Sequence, residues 1–274
     1  LVDVGETSWR MPWSTPEYMA EVQANERPNT FRRLWLNEWV SNESEFITPE
    51  MWQGCYSPEV KPLQAGDKRK MVLGADASVS HDHTALVGTY HHDGLTDVIF
   101  VKTWKPSKSL FKLKPTVDLS QTIMAEILRL HKEGLVQEVV FDPYQLHSIS
   151  LDLARAGVRM IEMPQTNQRT EADTSLYDAI VGHTLRHYND PTLNEHIANS
   201  VSVENARGIR LAKERTTRKI DAAVALSMAR YMAVESAFSG GVTAMPNFFY
   251  YHDIEDYVDV NGRWINAPDC HEHH

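Results

Sequence analysis

At 274 residues and 42% hydrophobic, the chain is long enough for one large core, or one core with a small appendage. A formal charge of −10 argues mildly against a protein that coats nucleic acid, no run approaches the roughly 18 apolar residues of a membrane span, and no signal-peptide pattern opens the chain, so an intracellular setting is expected. Cys55 and Cys270 stand far apart without CxxC spacing, so neither a disulfide framework nor a thiolate metal site is suggested. A start at Leu1 rather than Met suggests a piece of something longer.

Residues 16–25 and 28–40 read as helices, the second amphipathic with Phe31, Leu34, Trp35 and Trp39 on one side, and Thr48-Pro49-Glu50 is a helix start. No strand pattern is expected over residues 1–65, and 58–70, with Pro62 and Gly66, reads as a linker. Short β-type runs follow at 71–76, 84–90 and 97–104, with His92-Asp93-Gly94 as a turn between the last two, which predicts a three-stranded meander. Leu119, Ile123, Ile127 and Leu130 have helical spacing over 118–133. A strand at 136–141, a helix at 147–156 and a strand at 158–163 come next. A capped start at Thr170 opens a helix to about residue 188, a short strand is expected at 208–212, and 219–234 is a long Ala-rich helix. Strands alternating with helices after a meander predict an α/β fold with a mixed sheet covered on both faces. Beyond residue 236, an aromatic run at 248–251 precedes a hairpin signal around Asn261-Gly262.

Three aspartates stand where apolar elements meet loops. Asp76 closes the first strand, Asp142 closes the strand after the crossover helix, and Asp221 sits in the first turn of the last helix, where the helix dipole favours a carboxylate. Parallel strand ends of this kind open onto one edge of the sheet, so the three are expected to converge, with Asp82 reaching the same place from the loop after Asp76. Carboxylate clusters of this sort hold hard cations such as Mg²⁺, and paired ions serve phosphodiester hydrolysis. The triplet His81-Asp82-His83 is a poor zinc site, because strand-and-turn geometry splays the imidazoles and no cysteine is near. His183 and His187 have i, i+4 spacing without the Glu of HExxH, and surface or capping roles explain them as well. Against the acidic average, residues 102–114 hold Lys102, Lys105, Lys108, Lys112 and Lys114 with no acid, and 205–219 hold Arg207, Arg210, Lys213, Arg215, Arg218 and Lys219 against Glu214 alone. A phosphate backbone needs such a local track rather than a basic whole protein, and Lys105, Lys108, Lys112, Lys213, Arg215 and Arg218 are the expected phosphate contacts.

The motifs Leu73-Gly74-Ala75-Asp76 with Asp82-His83-Thr84-Ala85, Val140-Phe141-Asp142-Pro143-Tyr144, Asp190-Pro191 with His196-Ile197-Ala198-Asn199, and Lys219-Ile220-Asp221-Ala222-Ala223 carry a resemblance. Over most of residues 20–235 the chain resembles the C-terminal nuclease domain of the large terminase subunit of tailed bacteriophages, within the RNase H-like nucleases. Arg33-Leu34-Trp35-Leu36-Asn37-Glu38-Trp39 is similar to the segment that joins motor and nuclease there. The resemblance implies an RNase H-like mixed sheet flanked by helices and preceded by a short helical linker region. It divides the chain into a linker remnant over 1–65, a nuclease domain over 66–236 and a tail with a hairpin over 237–274. It further implies that Asp76, Asp142 and Asp221 hold two Mg²⁺ or Mn²⁺ ions, with Asp82 an accessory acid, in an endonuclease that cuts concatemeric double-stranded DNA during genome packaging. Several members carry a second acid beside the helix aspartate, where this chain has Ala222. Expected partners are double-stranded DNA, the small terminase subunit, the portal protein and other large-subunit chains, without a membrane, in host cytoplasm and transiently at the procapsid portal. With no GxxxxGK[ST] in the sequence, ATP hydrolysis is not expected. A DNA-gripping assembly module with latent cleavage is the alternative, which the net negative charge favours. A sugar-kinase-like ATPase is disfavoured for want of Gly-rich phosphate turns near Asp76 and Asp142.

Overall fold

Ahead of the main sheet stand helix α1 (Pro16–Asn25), strand β1 (Glu43–Glu45) and helix α2 (Pro49–Gly54), which starts where the sequence places it, with Thr48 capping the N–H of Met51. The structure, a computed structural model, describes residues 15–25, 31–32, 34–38, 43–77, 83–107, 115–164, 167–205, 207–213 and 218–238. The central strand β2 (Met71–Asp76) is apolar from Met71 to Ala75 apart from Gly74 and is covered on both faces. It pairs antiparallel with β3 (Thr84–His92), which turns into β4 (Leu95–Trp104) through Asp93 and Gly94 at φ 48° and 76°. Two consecutive positive φ values match the right-handed twist of the flanking strands, which is why Asp-Gly sits there. A turn of π-helix at Ser120–Met124 runs into α3 (Ala125–Lys132), which returns the chain to β5 (Val136–Phe141), parallel to β2.

Helix α4 (Pro143–Arg155) begins four residues ahead of its expected start. Asp142 takes the N-cap position, its carboxylate accepts the Tyr144 N–H at 3.0 Å, and Pro143 is preset for a first turn. After β6 (Met160–Glu162), helix α5 (Asn167–Val181) ends well short of residue 188, because Gly182 follows and His183 takes φ 52°. The next elements are β7 (Leu185–Arg186), α6 (Pro191–Ala198), the hairpin β8 (Ser200–Asn205) and β9 (Gly208–Lys213), and α7 (Asp221–Phe238). The main sheet has the order β6-β5-β2-β3-β4-β7, and β1, β8 and β9 form a second, antiparallel sheet. The expectation of no strand over residues 1–65 is therefore corrected: β1 pairs with β8, and Phe46, Ile47 and Trp52 join the core. Three residues are too few for an alternating pattern to show.

Both faces of the mixed sheet carry helices, as expected. On one face Leu73, Ala75, Leu86, Ile99, Val139 and Phe141 pack against Ile123, Ile127 and Leu130 of the α3 segment and Leu146 and Leu153 of α4. On the other, Val72, Val140 and Ile161 meet Val224, Met228 and Met232 of α7, while Ala85 and Val87 meet Ala222, Ala225 and Leu226. Helix α7 approaches unusually closely: a Cβ added to Gly74 would lie 1.9 Å from the Ala225 carbonyl oxygen. The alanines of α7 and the glycine of β2 are what permit this contact. A buried ion pair between Arg169 and Asp173, 2.9 Å long, anchors the junction of α5, β9 and α7. Asp173 also accepts the Ser227 hydroxyl at 2.6 Å and the Leu211 N–H at 3.0 Å, so its lone pairs are well used.

Candidate active site

The alternation of side chains along strands decides where the aspartates point. Val72 and Val140 lie on the α7 face, so Gly74 and Asp76 of β2, and Asp142 just after β5, belong to that face too. The parallel register pairs Ala75 with Phe141, which sets Asp76 and Asp142 side by side on neighbouring strand ends. Helix α7 runs antiparallel to these strands. Ser236 near its C-terminus donates to Glu138 at the start of β5, and Ala225 crosses Gly74, so Asp221 at its N-terminus falls where β2 and β5 end. Asp76 and Asp142 are half-buried and Asp221 is 6% exposed. The structure thus brings these three expected residues to one end of one face.

Two histidines join this end. His83 precedes β3 and shares the face of Ala85, which pairs with Asp76. His196 comes from α6, whose first turn is capped by Asp190 accepting the Leu193 N–H at 2.9 Å. Donor atoms of His83, His196 and Asp221 all lie within 4.8 Å of one another. Asp76 and Asp142 lie outside this tight group. The two imidazole rings are 5.6 Å apart.

Helix α6 also fixes the first turn of α7. The Ala222 N–H donates to His196 Nδ1 at 2.9 Å, and Asn199 Nδ2 donates to the Lys219 carbonyl at 3.1 Å. Burial pushes the His196 pKa down to about 4, with the charges of His83, Lys105 and Lys219 acting in the same direction. The ring is therefore neutral near pH 7, and because Nδ1 accepts, the proton is on Nε2.

The same influences place basic residues around the site. Lys105 and Lys219 lie within electrostatic reach of His196. Arg210 on β9 is half-buried, and burial together with Arg169 lowers its pKa while Asp173 and Asp142 favour its charge. Lys213 ends β9, and Arg218 is exposed just ahead of α7. Asp82, Lys108, Lys112 and Arg215, together with the hairpin signal at Asn261-Gly262, lie outside the described residues.

The pair His183 and His187 is not on a helix. His187 stacks on Trp52 with ring centroids 4.0 Å apart, accepts the Asn189 N–H at Nδ1 and donates from Nε2 to the Trp52 carbonyl at 3.0 Å. It is a core residue, neither a ligand nor a surface cap. His83 and His196 escaped assignment from sequence because each contributes through a contact between distant segments. Only the motif from His196 to Asn199 hinted at the second.

Residues 116–237 match the family described as terminase large subunit, endonuclease domain. Over these residues the chain is similar to a terminase nuclease domain. The matched segment includes Asp142, His196 and Asp221 and leaves out Asp76 and His83. The terminase large subunit of Enterobacteria phage HK97 is 29% identical over 226 residues, 73% of this chain and 44% of that protein. The Gene 13 protein of Mycobacterium phage L5 is 26% identical over 270 residues, 88% of this chain and 44% of that protein. The crystal structure of the HK97 bacteriophage large terminase superposes with a TM-score of 0.57 at 28% identity, over 77% of this chain and 49% of that one. A large terminase from the thermophilic bacteriophage D6E, at 13% identity and a TM-score of 0.51, shares the fold. The chain thus has an RNase H-like mixed sheet, and it spans less than half the length of the HK97 and L5 relatives.

Proposed function

We propose that this chain is the metal-dependent endonuclease unit of a viral DNA-packaging terminase and cuts concatemeric double-stranded DNA by two-metal phosphodiester hydrolysis. What supports the reading is that Asp76 and Asp142 stand on neighbouring strand ends of one face, at the end where α7 begins with Asp221. The residues fit such ions: the donors are hard carboxylate oxygens at an open strand edge, the set that suits Mg²⁺ and Mn²⁺. Asp76, Asp142 and Asp221 would hold the two ions, with Asp82 an accessory acid. Bound divalent ions would supply an activated water and a counter-charge for the leaving 3′ oxygen.

The chain's own residues do the rest. The N-cap bond to Tyr144 fixes one oxygen of Asp142, and the N-terminus of α7 adds its partial positive charge beside Asp221. Arg210, Lys105, Lys213 and Arg218 hold the phosphate backbone, with Lys108, Lys112 and Arg215 extending the track, so that cleavage has little sequence preference. No side-chain nucleophile is needed. In the packaging complex the partners would be the small subunit, the portal protein and other large-subunit chains, in host cytoplasm and transiently at the procapsid portal.

Supercoiled plasmid incubated with the chain and Mn²⁺ or Mg²⁺ tests the reading. Linear and nicked products that vanish with Asp76→Asn are expected, and cleavage that survives this change would overturn it. The net charge of −10 favours a second reading, a DNA-gripping assembly module with latent cleavage. Binding without any product by the wild-type chain would support that one instead.

A further inference from the structure

Where several relatives were expected to carry a second acid at the start of the last helix, this chain has Ala222, so Asp221 enters the site as the lone carboxylate of α7. The surroundings of Asp221 are not apolar, however. His83 and His196 each bring a ring nitrogen into the group whose donor atoms lie within 4.8 Å of one another. The two histidines are not equivalent. Nδ1 of His196 accepts the Ala222 N–H, so its Nε2 carries the proton and has no lone pair for a cation. To ligate, His196 would have to give up that bond and the first turn of α7 with it. His83, the other ring in the group, arrives ahead of β3 beside Asp76, half-buried, on the same face as Ala85.

We infer that His83 is a nitrogen ligand that completes the cation site at Asp221, and that His196 is a positioning residue which holds the first turn of α7 and directs its Nε2–H toward that site. This rests on the nuclease reading above and deepens it, because it makes one of the two ion positions a mixed nitrogen and oxygen site. Imidazole suits first-row transition ions better than Mg²⁺, and the Irving–Williams order puts Mn²⁺ at its weak end. The site at Asp221 therefore discriminates in favour of Mn²⁺ over Mg²⁺, whereas an all-carboxylate site would discriminate less. His196 in turn acts as outer partners of metal ligands do, orienting Asp221 through the helix that carries it. Loss of such a partner costs about 10–100-fold in metal affinity.

Pulsed electron paramagnetic resonance on the whole chain with Mn²⁺ alone reads the ligand directly, through coupling of the ion to the imidazole nitrogen. Wild-type protein is expected to show that coupling, His83→Gln to lose it, and His196→Ala to keep it while binding Mn²⁺ about 10–100-fold more weakly. In His196→Asn the amide oxygen can still accept from Ala222, so a partial recovery relative to His196→Ala is expected if the role is positioning. Urea unfolding of each variant accompanies the measurement, so that loss of coupling is read on folded protein only. Bound Mn²⁺ that is lost with Asp76→Asn and Asp221→Asn yet never shows nitrogen coupling overturns the His83 assignment and leaves the carboxylate site standing. Coupling that persists in His83→Gln and disappears in His196→Asn overturns it by exchanging the roles. Wild-type protein that binds no Mn²⁺ overturns this inference and the proposed function together.

Discussion

Helix α7 meets a buried carboxylate at each end, and the two are handled differently. At the C-terminal end Glu138 is fully buried, takes the Ser236 hydroxyl and lies 3.5 Å from the Arg159 guanidinium. Burial raises its pKa, against the smaller opposing effects of Ser236 and Arg159. At the N-terminal end Asp221 sits beside two imidazoles, on the face and at the edge that Asp76 and Asp142 share. Burial of an acid therefore does not mark a site by itself. What distinguishes the two ends is whether the neighbours are matched protein groups or further donors facing a common space.

The largest expected effect separates the ends directly. Asp221→Asn should take DNA cleavage to background while the fold survives, and Glu138→Gln should leave cleavage unchanged, both read in a plasmid assay. Next comes the junction between them: Asp173→Asn leaves Arg169 buried with its ion pair broken, so urea unfolding should show a loss of about 3–5 kcal/mol. Gly74→Ala tests the contact that aims α7 at the strand ends. Its methyl has no room beside Ala225, so a loss of about 1–3 kcal/mol is expected, with a fall in cleavage as Asp221 is displaced.

Smaller effects sharpen the contrast. Because the folded-state pKa of Glu138 is raised above the ordinary 4.5, its contribution to stability is present below that pH and is lost as pH rises through the folded value. Glu138→Gln removes that loss, so urea midpoints should move in the variant's favour above pH 4.5 and not below it. A variant that loses ground as pH rises would show Glu138 to be held as an anion. Lys213→Ala should weaken DNA binding uniformly across sequences and reduce the salt slope by about one.

Much of this was legible in the residues. The strand at 136–141 follows from its β-branched and aromatic end Val139-Val140-Phe141, the β3–β4 turn from Asp93-Gly94, and α7 from its alanines, all of them local signals. That Asp76 and Asp142 end strands opening onto one edge was expected from the alternation of strands and helices, and their common face came from the register. What escaped was non-local. Strand β1 exists because β8 pairs with it, α5 stops where His183 takes a positive φ, and His196 matters because of an N–H on another helix. None of these leaves a periodic trace in its own segment, so patterning could not reveal them.

The central claim is that Asp76, Asp142 and Asp221 together hold divalent ions at the N-terminal end of α7. Anomalous diffraction from crystals of the chain soaked in Mn²⁺ tests it most directly. The account predicts ion density between these three carboxylates, on the α7 face of the sheet. Mn²⁺ bound elsewhere on a chain that still cuts DNA, with that space empty, would contradict it.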